Sequence, residues 1–362
     1  MPELLNLFDY ATAAAERIPP AYHAYYAGGV ADNLTRDDNR HAFNRLKLLP
    51  RVLRDVSQRT QNSSLQTPHS SLTFPMLLAP TAMAKLAHPD GEVGLAKAAH
   101  TAGIPQLLST MSTCAVEEVT AIGHDVWFQL YLFKDREASK AIVQRAEAAG
   151  CKALVLTVDV PVIGLRKSLA RSKFKSPPGP PFPNLMRTNA DGEQELIVTL
   201  DNQVDPSLTW DDVAWLRSIT SLPIWIKGIL RPDDALRAVE AGVDGIIVSN
   251  HGGRRLDTAV ATIDALPYIA KAVDGTVPLL MDGGIRRGTD MIKALALGAS
   301  AALIGRPVLW GLAVNGAEGA AHVIEILRTE FDNAMAQCGC RTVDEITEDL
   351  IFNADVRMPN VD

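Results

Sequence analysis

Apolar residues along this chain fall into two alternating patterns. Short runs of four to six residues, Met76–Ala79, Gln106–Ser109, Trp127–Tyr131, Ala153–Val158, Ile224–Lys227, Ile246–Ser249, Leu279–Asp282 and Ala301–Ile304, are of the kind that forms strands buried on both faces. Between them lie amphipathic helical stretches that close at Thr101-Ala102-Gly103, Ala148-Ala149-Gly150, Glu240-Ala241-Gly242 and Ala296-Leu297-Gly298, each glycine suited to end a helix before the next strand. Eight such units predict an α/β protein, a (β/α)8 TIM barrel, with its chemistry on the loops that follow the strands.

The flanks break this repeat. Residues 1–50 read as short helices interrupted at Pro19-Pro20 and Gly28-Gly29, an N-terminal helical extension; Tyr22, Tyr25 and Tyr26, spaced i, i+3 and i+4 within it, fit packing better than catalysis. After the fourth strand about fifty residues, including Ser176-Pro-Pro-Gly-Pro-Pro-Phe-Pro183, precede the helix near Trp210–Ile219, far longer than an ordinary loop. This stretch is either a lid over the catalytic face or a surface insertion. Beyond Arg306 the pattern is helical and ends in a polar tail. The expected organisation is one unit over 1–362: N-terminal helices and barrel-bottom segment 1–74, barrel 75–310, C-terminal helices and tail 311–362.

Composition narrows the classes. At 47% hydrophobic and 21% charged, the 362 residues can bury a large core, and no apolar run approaches the roughly 18 residues of a membrane span. A net charge of -7 without a basic stripe argues against a nucleic-acid partner. Cys114, Cys151, Cys338 and Cys340 lack metal-type spacing and read as reduced, so no metal is expected. The first twenty residues resemble an amphipathic helix and not a secretory signal, which leads to an expected cytoplasmic location.

The chemistry collects at the strand ends. Gly245-Ile-Ile-Val-Ser-Asn-His-Gly-Gly-Arg-Arg-Leu-Asp257 is a buried strand that stops at His251 and two glycines, on backbone that permits close ligand approach. The other ends supply Ala79-Pro80-Thr81-Ala82, Ser109, Gln129 with Tyr131, Thr157 with Asp159, Lys227, Ser249, Asp282-Gly283-Gly284 and Gly305-Arg306, most of them able to hydrogen-bond a flat heterocycle. Asp282-Gly-Gly-Ile-Arg286 after strand seven and Gly305-Arg306 after strand eight fit a phosphate site of this barrel class. Lys227 ends an apolar strand and needs an anionic partner there. By position alone it could form a Schiff base or place a cation beside an electron-accepting ring.

Ser-Asn-His-Gly-Gly-Arg-Arg-Leu-Asp at 249–257, Ala-Pro-Thr-Ala-Met at 79–83, Phe-Gln-Leu-Tyr at 128–131, Leu-Thr-Val-Asp at 156–159, Lys-Gly at 227–228 and Asp-Gly-Gly-Ile-Arg-Arg-Gly-Thr-Asp at 282–290 together resemble the FMN-dependent L-2-hydroxy-acid oxidases and dehydrogenases, which include glycolate and lactate oxidases. The likeness covers nearly the whole chain. It implies His251 as the base, Asp159 stabilising its imidazolium, Tyr131 on the substrate hydroxyl, and Tyr25, Arg166 and Arg254 on the substrate carboxylate. It further implies FMN held by Pro80, Thr81, Ala82, Ser109, Gln129, Thr157 and Ser249 around the ring, with Lys227 at the ring's N1 and C2 carbonyl. Asp282 would hold the ribityl chain, and Gly283, Gly284, Arg286, Gly305 and Arg306 would surround the phosphate. Met83 and Met111 imply an alkyl pocket wider than that of glycolate oxidases. The implied reaction is oxidation of a small 2-hydroxy acid, L-lactate first and glycolate second, with O2 giving hydrogen peroxide. A dehydrogenase with a quinone or protein acceptor is the alternative, and a Schiff-base aldolase on the same barrel a remote one. A homotetramer is expected by resemblance.

Overall fold

A computed structural model describes residues 3–63, 65–67, 70–175, 182–188, 194–196 and 205–352. Eight parallel strands close into a barrel: β1 (Met76–Leu78), β2 (Gln106–Ser109), β3 (Val126–Leu130), β4 (Ala153–Thr157), β5 (Ile224–Ile229), β6 (Gly245–Val248), β7 (Leu279–Asp282) and β8 (Ala301–Ile304), each hydrogen-bonded to its neighbours and β8 to β1. This is the (β/α)8 barrel that the apolar runs predict. Ends differ by one or two residues: Tyr131, Val158 and Ser249 fall just past their strands, and β5 runs on to Ile229 through a shift of register at Lys227. The helix-ending glycines Gly103 and Gly298 sit at φ 65° and 105°, a left-handed region that side chains with a Cβ resist.

Alternation along each strand sorts the core into two layers. Met76, Leu78, Leu108, Phe128, Leu154, Ile226, Ile246 and Met281 face outward into the main core with the surrounding helices. Leu77, Leu107, Trp127, Ala153, Val155, Trp225, Ile247, Leu280, Ala301 and Leu303 face the barrel axis, joined by Leu65 and Leu72. Trp127 and Trp225 meet there with ring centroids 5.0 Å apart, and Gly245 leaves room, since a Cβ at that position would lie 2.2 Å from the Trp225 ring. The same two-residue period carries the next inward positions, Ser109, Gln129, Thr157, Lys227 and Asp282, to the carboxyl-terminal mouth of the barrel. An apolar floor thus supports a polar rim.

The N-terminal extension forms three helices, α1 (Leu7–Arg17), α2 (Pro20–Ala27) and α3 (Leu34–Arg45). Asn6 caps α1 in a reciprocal box with Asp9. The turn between α2 and α3 and the start of α3 are tied to the loop after β6. Val30 N–H donates to the Gly253 carbonyl at 2.9 Å, Thr35 N–H to Asp257 at 2.9 Å, and the amides of Asn39 and Asn250 exchange hydrogen bonds of 2.8 and 2.7 Å. These helices therefore cross the catalytic face of the barrel. The Arg306–Gln337 helix bends at Asn315-Gly316 and packs along the outside against α1 and the Gly91–Ala102 helix.

Of the long stretch after β4, residues 160–175 pack over the same face. A short helix (Lys167–Arg171) leads to Phe174, whose ring stacks on Tyr25 at 5.0 Å. Most of Ser176–Pro183 and the final residues 353–362 lie outside the described residues. All four cysteines are free and buried. Among the described residues no helix is long and apolar enough to cross a membrane, and no cluster of His, Cys, Asp or Glu is placed to hold a metal ion.

Candidate active site

The mouth of the barrel opens into a cavity of about 440 Å³. Its wall includes Pro80, Thr81, Ala82, Met83, Ser109, Met111, Gln129, Tyr131, Thr157, Lys227, His251, Arg254, Asp282, Gly283, Gly284, Arg286, Gly305 and Arg306, together with Tyr25 and Arg166 from outside the barrel core. Residues spread over more than 280 positions of sequence converge because each terminates, or packs over, a strand of one closed barrel. Two residues named with them stand behind the wall. Asp159 backs His251, and Ser249, reached from sequence as a direct neighbour of the bound ring, is fully buried beneath Lys227 and hydrogen-bonds its ammonium at 2.6 Å.

His251 takes a left-handed backbone conformation, φ 59°, directly after β6, with its amide held by Ser249 Oγ at 3.0 Å. Its Nδ1 lies 2.9 Å from Asp159 Oδ1 and its Nε2 3.2 Å from Arg255 Nη2. A guanidinium only donates, so Nε2 must be the accepting nitrogen, and the ring proton sits on Nδ1 facing the carboxylate. Burial pushes the His251 pKa down to about 4, against the pull of Asp159. Burial alone would raise the Asp159 carboxyl, but the charge and hydrogen bond of His251, with Lys227 and Arg255, hold it below the usual carboxylate range. At neutral pH the pair is a neutral imidazole backed by an anion, the arrangement a general base requires.

Lys227 finds the anionic partner its position demands. Its Nζ lies 2.9 Å from Asp282 Oδ2 on β7, and although burial opposes the charge, Asp282 and Asp159 raise its pKa above that of an ordinary lysine. A Schiff-base lysine must present a neutral amine, so this pairing removes the aldolase alternative and leaves a fixed cation at the cavity floor.

Five guanidiniums, by contrast, lack anions. Among the described residues no carboxylate lies within ion-pair distance of Arg166, Arg254, Arg255, Arg286 or Arg306. Burial and the proximity of Arg254 push Arg166 down to about 10, and burial with Arg40 does the same to Arg286; Arg306 falls well below the ordinary arginine range for the first of these reasons. Arg166 and Arg254 lie over the Tyr25 ring, 4.9 and 5.1 Å from its centroid, and Arg254 also donates to the Tyr25 carbonyl at 2.7 Å. Arg286 and Arg306 flank Gly284 and Gly305, where the chain comes so close to α3 that a Cβ on Gly284 would lie 1.9 Å from the Asn39 carbonyl oxygen. Backbone carbonyls of Tyr25, Tyr26, Gly28 and Gly252 accept from Arg254 and Arg306, but they leave the net positive charge of this cavity for an anionic ligand to offset.

Among the described residues four on the wall carry unpartnered buried polar atoms, Gln129 Nε2, Arg166 Nη1, Arg255 Nε and Asp282 Oδ1; the Gln129 amide leaves a free donor and the Asp282 carboxylate a free acceptor. A free donor, a free acceptor and buried cations in one cavity fit a planar heterocycle bearing a hydroxylated chain and a phosphate.

Three contributors lay beyond the sequence reading. Arg255 contacts both His251 and Tyr131 Oη, the latter at 3.4 Å, although its chain position resembles a solvated charge. Phe174 closes the cavity over Tyr25. Glu92, 1% exposed, accepts from Ala84 N, Thr113 N, Thr113 Oγ1 and Cys114 N at 2.7 to 3.1 Å, and so fixes the two loops that carry Met83 and Met111. In sequence it is indistinguishable from an acidic residue favoured in the first turn of any helix.

Residues 14–353 match the family described as FMN-dependent dehydrogenase. An L-lactate oxidase of Nostoc sp. is 49% identical over 94% of this chain and 96% of its own length, and glycolate oxidase 3 of Arabidopsis thaliana is 45% identical over 95% of each. Among solved structures, a mandelate oxidase with benzoyl-formic acid superposes with a TM-score of 0.87 at 39% identity, over 97% of this chain and 98% of the other.

Proposed function

This chain belongs to the FMN-dependent dehydrogenase family, and we propose that it oxidises an L-2-hydroxy acid, L-lactate first and glycolate second, to the 2-oxo acid while O2 is reduced to hydrogen peroxide. One observation carries the reading: the neutral His251, backed by Asp159, shares a cavity with guanidiniums that, among the described residues, have no protein anion to pair with. A base and a carboxylate clamp within one small-molecule cavity are what a 2-hydroxy acid requires. The relatives named as oxidases support oxygen as the acceptor.

FMN, when bound, supplies the acceptor for the two electrons that leave the substrate's α-carbon. Pro80, Thr81, Ala82, Ser109, Gln129 and Thr157 hold its ring, Asp282 its ribityl chain, and Gly283, Gly284, Arg286, Gly305 and Arg306 its phosphate. Ser249 contributes by seating Lys227. Arg254 and Arg166 bind the substrate carboxylate, with Tyr25 between them. Tyr131 hydrogen-bonds the substrate hydroxyl oxygen. His251 Nε2 accepts the hydroxyl proton, and Asp159, already bonded to Nδ1, stabilises the imidazolium that results. Lys227, held cationic by Asp282, offsets the negative charge that two-electron reduction brings to the cavity floor. Met83 and Met111 face the substrate's alkyl group. A homotetramer completes the reading and is tested by light scattering.

The experiment is anaerobic reduction of the purified yellow protein by L-lactate, followed by admission of air with peroxide recorded. Bleaching, rapid recovery and stoichiometric peroxide are expected. Bleaching without prompt recovery overturns oxygen as acceptor, and absence of bleaching overturns lactate as substrate.

A further inference from the structure

Arg255 stands in the middle of this site with no role in the scheme above. We propose that Arg255 is a positioning residue for proton acceptance, its guanidinium joining His251 and Tyr131 at the point where the substrate hydroxyl arrives. The inference rests on His251 being the base.

Three observations support it. Arg255 Nη2 lies 3.2 Å from His251 Nε2 and 3.4 Å from Tyr131 Oη, so one nitrogen touches both groups that receive the hydroxyl. Because that nitrogen has no lone pair to offer, the contact requires an unprotonated Nε2 and a proton on Nδ1. Asp159 and Arg255 thus specify the same tautomer from opposite ends of the imidazole. Finally, among the described residues no carboxylate lies within ion-pair distance of Arg255: its Nε is buried without a partner, and the nearby Asp257 is already engaged by the amides of Asp32 and Thr35.

The charge therefore acts on the imidazole. Of the groups facing His251, Asp159 on the β4 loop favours protonation, whereas Lys227 on β5 and Arg255 on the ring's own loop oppose it. The Tyr131 and Tyr25 phenols and the Arg166 and Arg254 guanidiniums complete the surrounding cavity wall. With Arg255 in place, His251 stays available as a base further into the acidic range. An arriving hydroxyl takes over the Nε2 contact, and Arg255 then lies beside the oxygen from which the proton departs.

The test uses holoenzyme variants Arg255→Gln and Arg255→Lys, with anaerobic FMN reduction by L-lactate followed across pH and FMN content measured alongside. Two unit charges about 4 Å apart interact, even in water-like surroundings, by about three quarters of a pH unit, and by more in a buried cavity, so Arg255→Gln is expected to move the acidic limb of kcat/KM upward by about 0.7 unit or more. Arg255→Lys keeps the charge and should leave the limb within about 0.3 unit, while its ammonium, on a side chain one bond shorter than the one that places Nη2 at both partners, no longer reaches them together and lowers the plateau rate by about tenfold. An arginine with a purely structural role would reduce rate or flavin content without moving the limb. An unmoved limb in Arg255→Gln overturns the proposal. Should that variant yield no holoenzyme, an unchanged plateau in Arg255→Lys overturns it instead. His251→Asn separates this from the parent reading: if it still reduces FMN at the native rate, the base assignment has failed; if it abolishes reduction while Arg255→Gln leaves the limb unmoved, only the role of Arg255 has failed.

Discussion

Replacing Asp159 with Asn changes little in volume and tests the base directly. In the native protein Asp159 Oδ1 lies 2.9 Å from His251 Nδ1, and the carboxylate stabilises the imidazolium that forms when Nε2 takes the hydroxyl proton. With charge centres about 4 Å apart and an effective dielectric of about 20, that pairing is worth about 4 kcal/mol, or about a thousandfold in rate. A second effect works in the same direction: an Asn amide can donate to Nδ1, which would shift the ring proton to Nε2 and block acceptance. The assay is stopped-flow reduction of bound FMN by L-lactate without oxygen, with Asp159→Ala as a companion that removes the charge without offering a donor. FMN content should hold in both variants, because Asp159 stands behind His251 and not on the cavity wall. The expected fall is about 10³-fold for Asn, with Ala no lower. Reduction by Asp159→Asn within about threefold of the native rate would refute both the imidazolium step and the tautomer assigned to His251.

Other parts of the site give separate tests. Lys227→Met leaves Asp282 buried opposite no cation, and loss of one partner from such a pair should cost about 3–5 kcal/mol in denaturant unfolding; a loss below about 1 kcal/mol would mean the pair is more solvated than its geometry indicates. Arg286→Leu should weaken FMN binding to the apoprotein by about tenfold to a hundredfold, read by quenching of flavin fluorescence, since a charge-assisted contact contributes about 1.5–3 kcal/mol. Burial pushes both His124 and His251 down to about 4, whereas an unfolded histidine titrates near 6.5. The unfolded chain then binds the extra protons, so stability of the apoprotein should be level above about pH 6.5 and fall as pH drops toward about 4. A melting temperature constant across that window would contradict the burial of these rings.

Much of the fold was written locally. A strand buried on both faces must be a short continuous apolar run, and a helix packed on a barrel must end where the chain can turn back, so eight runs and their closing glycines sufficed to predict the barrel. The same logic reached His251, Lys227 and the glycine-arginine pairs, because polar residues that interrupt apolar strands at their ends are rare enough to be noticed. Boundaries were less legible: Ser249 reads as a strand residue and a wall group, yet the end of β6 at Val248 and the hydrogen bond from Lys227 turn it beneath the cavity.

Tyr25 shows where local pattern stops. Its spacing with Tyr22 and Tyr26 fits simple packing, and only the hydrogen bonds that tie the α2–α3 turn and α3 to the loop after β6 bring it into the site. Glu92 and Arg255 are the same kind of residue, each resembling a solvated charge until partners 4 to 124 positions away surround it. Sequence by itself determined the repeated units, the barrel they close and the chemistry at the strand ends, since these follow from burial and backbone period. The tertiary structure alone decided that Arg255 touches the imidazole, that Ser249 seats Lys227 and which helices roof the cavity. Those are contacts between distant segments, and a side chain's direction is fixed only when both segments are in place.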